Sequence, residues 1–168
     1  MLIYHPAFDT HHCAFRLLRL LERLPKVPYP IEKIRILDFY LLFPSELVSV
    51  RFPQDALRFK KEFRRTSNPY ERIEDPHRVF SRLEPIQLAA LRTLASHGVI
   101  DQAQLSEGKA LRSGSPIPAS LARLIDTANT RFPAAIELLS GPLSAIDLYG
   151  KSGLKARTDL FEYRYDPS

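Results

Sequence analysis

The sequence predicts a mainly α fold with a minor β component: a compact multi-helix domain with a winged-helix-like C-terminal part. Three observations carry this prediction. Apolar residues recur at helical spacing in several short segments. Six glycines are few for a fold of many tight turns, while the fourteen prolines fall mostly at helix starts or in loops. Only near the C-terminus do aromatic and charged residues alternate with the period of a strand. The 168 residues, 45% apolar and 26% charged, have an ordinary globular composition and a length suited to one domain.

Asp9 or Thr10 can cap a first helix that runs to about residue 24. Ala14, Leu17, Leu18, Leu21 and Leu24 keep helical spacing on it, and Arg16, Arg19 and Arg23 mark the outer face. Residues 25–30 contain three prolines and read as a connector. Pro30 sits at the first turn of a second helix, Glu32 lies favourably near its start, and Pro44 ends it. That helix carries Ile34-Arg35-Ile36-Leu37-Asp38-Phe39-Tyr40-Leu41-Leu42-Phe43, apolar on every side except at Arg35 and Asp38. Such a helix is buried all round or covered by a partner. An unpaired buried carboxylate is costly, so Asp38 should pair with Arg16, Arg19 or Arg35, or bond to backbone.

Residues 45–50 read as a short helix or an extended piece. Pro53 opens a helix over 54–65 with a thin apolar stripe of Ala56, Phe59 and Phe63. Residues 66–76 form a polar loop, the best candidate for a mobile connector. Pro76 begins a short helix through Leu83. Pro85 begins another, with Ile86, Ala89, Ala90, Leu91 and Leu94 inward and a stop at His97-Gly98. Residues 99–114 are less periodic and suit a loop or short strand. Helices follow Pro118, with Leu121, Leu124 and Ile125 inward, and Pro133, with Ala135, Ile136, Leu138 and Leu139 inward. Over 159–166, Phe161, Tyr163 and Tyr165 alternate with Glu162 and Arg164, which reads as a β-strand. The organisation is therefore an N-terminal helical part (1–66), a polar connector (67–75) and a winged-helix-like part ending in a strand (76–168), together one compact unit. The winged-helix reading rests on the short helices and Gly turn of residues 86–139.

The net charge of +5 is unevenly placed. Residues 1–50 hold six Lys/Arg against five Asp/Glu, residues 51–82 nine against five, and residues 83–168 nine against nine. Nearly all the excess sits in the middle segment, with Arg58, Lys60, Lys61, Arg64 and Arg65 within one helix. Such a cluster suits phosphates or an acidic protein surface; its plain alternative is a solvated helix face. No apolar run is long enough to span a membrane, and no basic stretch precedes an apolar one as in a signal peptide. The single cysteine, Cys13, fits a reducing compartment, so a cytoplasmic location is expected.

Candidates for chemistry are few. His5, Asp9, His11, His12 and Cys13 are all ligand types, but adjacent His11 and His12 point about 100° apart on a helix. No second Cys/His cluster lies downstream. Asp9 reads better as a cap and Cys13 as a packed thiol than as a metal site or nucleophile. Phosphate-binding glycine loops and nucleophile elbows are missing from the sequence. The expectation is a protein without catalytic, cofactor or metal residues.

The N-terminal motifs Tyr4-His5-Pro6-Ala7-Phe8-Asp9, His12-Cys13 with Phe15-Arg16-Leu17-Leu18, Leu37-Asp38-Phe39-Tyr40 and Leu42-Phe43-Pro44 resemble the middle component of bacterial ABC three-component systems, the Lamassu-type defence operons. The resemblance covers about the first third of the chain. It implies a non-catalytic accessory subunit of an SMC-like ABC ATPase complex, bridging the ATPase, DNA and an effector, often a nuclease, in defence against phage or plasmids. Phe39, Tyr40 and Phe43 then become candidate partner contacts, with Phe161, Tyr163 and Tyr165 as a second contact by strand addition or as the domain's own wing. The alternative is a free-standing winged-helix DNA-binding regulator, which the modest net charge and the lack of an obvious Arg/Lys/Asn-rich recognition helix in 86–139 disfavour. A metal-dependent enzyme using the His5–Cys13 cluster is a third reading.

Overall fold

The computed structural model describes residues 5–161, and its organising element is helix α2 (Ile31–Leu42). Every residue of α2 from Lys33 to Leu41 is buried. The helix apolar on all sides is thus covered by its own chain. Helix α1 (Thr10–Arg23) flanks it on one side, and α7 (Pro133–Ser140) and the 3₁₀ turn Pro44–Ser49 pack on others. The most extensive helix pairing joins α1 to α4 (Pro76–Ser96), across the polar connector, so both halves of the chain share one core.

Local chemistry explains the boundaries. The Asp9 carboxylate accepts from the His12 amide at 2.9 Å and starts α1. Pro30 fixes the start of α2, whose last turn closes before Pro44. Asp75 caps α4 through the Arg78 amide at 3.0 Å. Gly98 ends α4 with φ +71°, a backbone geometry that favours glycine, and the Val99 amide bonds back to the Leu94 carbonyl at 2.9 Å.

One helix replaces the two expected around Pro85. The buried stripe Phe80, Leu83, Gln87, Leu91 and Leu94 keeps one helical phase through the proline, and its packing holds the helix together. Pro85 and Ser81 both face solvent, where water can satisfy the carbonyl that loses its donor.

Residues 99–114 contain helix α5 (Gln102–Ser106) and strand β2 (Lys109–Ala110). Strand β2 pairs antiparallel with β1 (Tyr29–Pro30), Tyr29 opposite Ala110. The segment is fastened by Arg112, which donates to the carbonyls of Val99 (3.0 Å), Ser113 (2.8 Å) and Ser115 (2.7 Å) and pairs with Glu22 of α1.

The wing expected within residues 86–139 is not found among the described residues. The strand there pairs with residues 29–30, and the further pairing is a single bridge, Ile100 with Arg112. Helix α5 has five residues, too short for a recognition helix. Helix α6 (Ala119–Asn129) buries Ile125 and Asn129 and turns Leu124 outward, against expectation. The reason is that Asn129 is drawn inward by the Arg19 guanidinium at 2.9 Å, which sets the buried phase about 100° away from Leu124.

The connector is pinned in its second half. Buried Glu46 accepts from the Ile73 amide at 2.7 Å and from Arg72 at 3.1 Å. Helix α8 (Leu154–Thr158) packs Leu154 and Thr158 into the core, and the Thr158 carbonyl accepts from the Tyr40 hydroxyl at 3.4 Å. Beyond α8, Asp159, Leu160 and Phe161 are not in a strand; the rest of that expected element, with Tyr163 and Tyr165, lies outside the described residues. No helix among the described residues is long and apolar enough to cross a membrane.

Candidate functional site

Helix α3 (Leu57–Thr66) has the composition LRFKKEFRRT. Two phenylalanines four residues apart supply its only deeply buried side chains, Phe59 and Phe63. They seat the helix on the Pro44–Ser49 turn, with Phe63 edge-on to Phe52 at 6.4 Å between ring centres. At about 100° per residue, Lys61, Arg64 and Arg65 fall on the side opposite these rings, with Lys60 and Arg58 at its margins.

The structure brings all five expected cations onto this one element but not into one state. Arg58 is engaged: it donates to Glu137 of α7 at 2.8 Å and lies over the Phe59 ring at 4.7 Å. Lys61, Arg64 and Arg65 are exposed and Lys60 is half-buried, and no carboxylate pairs with any of these four among the described residues. Arg64 and Arg65 occupy the last turn, where the helix dipole favours positive charge. The resulting surface carries three exposed cations and one half-buried cation on long side chains. It suits phosphate contact along a backbone rather than the reading of base edges.

The aromatic residues expected at a partner interface are placed differently. Phe39 and Tyr40 are 0% and 2% exposed, so they cannot form a docking surface on this fold, and that expectation is corrected. Phe39 is tilted against Phe43 at 5.2 Å and edge-on to Phe80 at 5.8 Å between ring centres, serving the core. Phe43 is partly exposed behind it. Phe161 lies edge-on to Phe80 at 4.8 Å, below the guanidinium of Arg35.

Asp38 has a structural setting. Arg16 donates to both its oxygens, at 2.7 and 3.0 Å, and Gln87 donates to Oδ2 at 2.8 Å. Gln87 in turn accepts from Arg35 at 3.0 Å, and Arg35 pairs with Glu84. Burial works against the charge on Arg16, yet the Asp38 carboxylate outweighs it and raises the guanidinium pKa. The network ties α1, α2 and α4 together, with Arg16 and Asp38 paired inside the core and Arg35 paired to half-exposed Glu84 at its margin. Arg16 was foreseeable as a partner; Gln87 was not. Its only signal is a polar residue at a position where the α4 stripe is otherwise apolar.

The His5–Cys13 cluster does not assemble. His5 Nδ1 accepts from the Ala7 amide at 3.2 Å, Asp9 caps α1, and His11 and His12 point to solvent. Cys13 is buried with its sulfur 3.9 Å from Asp38 Oδ2. Burial first, and then the Asp38 charge, push the thiol pKa well above its ordinary value, which suppresses the thiolate. Among the described residues no group of three or more His, Cys, Asp or Glu is placed to hold a metal ion.

No curated protein and no solved structure matches this chain. A family model described as "ABC-three component (ABC-3C) system Middle Component 5" matches residues 2–166. The match spans both halves of the shared core and the α3 surface, and the chain belongs to the Middle Component 5 family of ABC-three-component systems.

Proposed function

We propose that this chain is a non-catalytic, cytoplasmic accessory subunit of a Lamassu-type defence complex. In this reading it links an SMC-like ABC ATPase, the DNA that the ATPase holds, and an effector. Membership of a middle-component family supports a role alongside partner proteins. The observation that carries the finer reading is the outer face of α3, where Lys60, Lys61, Arg64 and Arg65 stand together without carboxylate partners among the described residues. Four such cations cost solubility nothing and give a polyanion a ready seat.

The test begins with purification of the tagged chain co-expressed with its operon neighbours. The reading predicts stoichiometric co-purification of a long coiled-coil ATPase and salt-sensitive retention of DNA. A chain that purifies alone from cells expressing the whole operon contradicts the subunit role. A complex that assembles but holds DNA equally well after charge reversal at the four positions contradicts the role given to α3.

A further inference from the structure

A second surface lies apart from α3, where α1 meets the C-terminal end of α6. On α1, His11, His12, Phe15 and Arg19 fall within about 100° of one another and share one face. Opposite them stand Leu124 and Ala128 of α6, then Arg131 and Phe132 just beyond it. Two adjoining grooves, of about 320 and 650 Å³, share His12, Phe15, Ala128 and Arg131. Leu124 and Phe132 are 60% and 57% exposed at this surface, an unusual concentration of large apolar side chains in water.

The charge around the groove is one-sided. Exposed Arg131 edges it, beside half-buried Arg19, which donates to Asn129 at 2.9 Å and to the Ala128 carbonyl at 3.4 Å; burial, then the like charges of Arg16 and Arg131, push the Arg19 pKa down. Arg16 is neutralised by Asp38. The carboxylate lining the groove is Asp9, and it is engaged with the first turn of α1. An apolar floor with a cationic edge is complementary to an amphipathic helix that carries large apolar anchors flanked by carboxylates.

We infer that the α1–α6 groove is the seat for an acidic amphipathic helix of another component of the same complex, with Leu124 and Phe132 receiving its apolar anchors and exposed Arg131 a flanking carboxylate. This rests on the accessory-subunit reading and is independent of what α3 binds.

The experiment places a photo-crosslinking amino acid at Phe132, at Leu124 and, as a control outside the groove, at Tyr70, in the full chain co-expressed with the other operon components. The expected result is a crosslink from both groove positions to one component, mapped to a helical segment bearing Asp or Glu beside Leu, Ile or Phe. R131E should then reduce co-purification of that component about tenfold or more, with unchanged far-UV circular dichroism. L124A gives a milder loss without adding charge. A crosslink to a second copy of this chain, or to a segment without carboxylates, overturns the inference. So does an intact complex in which the groove positions crosslink no more than Tyr70. Failure of the wild-type chain to co-purify with any component overturns the accessory-subunit reading as well.

Discussion

Helices α2 and α3 are neighbours in sequence and opposite in the use of charge. Helix α2 carries Lys33, Arg35 and Asp38 in an apolar run, and all three are buried and bonded: Lys33 to the Ser144 carbonyl at 2.9 Å, Arg35 to Gln87, Asp38 to Arg16. Helix α3 carries three times the cationic density over a two-residue apolar anchor, and four of its cations have no carboxylate partner among the described residues. A charge within an apolar surround must be answered by the fold itself, because leaving it unpaired costs several kcal/mol. A charge on a thinly anchored helix adds little to stability and remains free for a partner. The sign and number of charges do not separate these roles; the apolar context does.

The comparison can be broken most forcefully at Asp38. D38A leaves the Arg16 guanidinium buried without its carboxylate and strips one of the two acceptors of the Gln87 amide, which keeps the Arg35 carbonyl, and should cost about 3–5 kcal/mol in urea unfolding. A loss below about 1 kcal/mol would mean that the network is solvated after all. Q87A removes a hydrogen-bond partner of both Arg35 and Asp38 without stranding a whole charge pair, so about 1–3 kcal/mol is expected. Truncating Arg58 breaks its exposed pair with Glu137, for which about 0.2–1 kcal/mol is expected. The smallest stability effect, within about 0.5 kcal/mol per position, belongs to reversal of Lys60, Lys61, Arg64 and Arg65, with the last-turn Arg64 and Arg65 at the upper end because the helix dipole favours cations there.

Cys13 sharpens the same contrast through pH. Its folded pKa is raised by burial and by Asp38, so the folded state favours the neutral thiol. That contribution is fully present below the unfolded thiol pKa and is lost as pH climbs above it, so stability should decline above roughly pH 8.5. Labelling by a thiol reagent at that pH should be on the order of 10³-fold slower in the folded chain than in denaturant. C13A should flatten the alkaline decline.

Much of the helical framework was legible because its signals are local: the Asp9 cap, the prolines at residues 30, 44 and 133, and the Gly98 stop. Burial of α2 was legible too, but not what buries it. Whether an all-apolar helix meets its own chain or a partner depends on long-range packing, and so Phe39 and Tyr40 were misplaced at an interface. Pro85 misled for a related reason, since the phase of the Phe80, Leu83, Gln87 and Leu91 stripe outweighs a proline whose missing donor faces water. Leu124 pointed outward because one tertiary bond, Arg19 to Asn129, sets the phase of α6. The α3 cations were fully legible; that Arg58 alone among them is engaged required Glu137, far along the chain.

The most direct test compares DNA retention by the wild-type complex and by the complex carrying K60E, K61E, R64E and R65E, across a salt titration and beside thermal unfolding of the isolated chains. The account predicts a folded chain whose unfolding shifts only slightly and a salt dependence shallower by about 3–4 on a log–log slope, the mark of four lost phosphate contacts. An unchanged slope and unchanged retention would contradict it, and the exposed face of α3 would then be a solvated surface and nothing more.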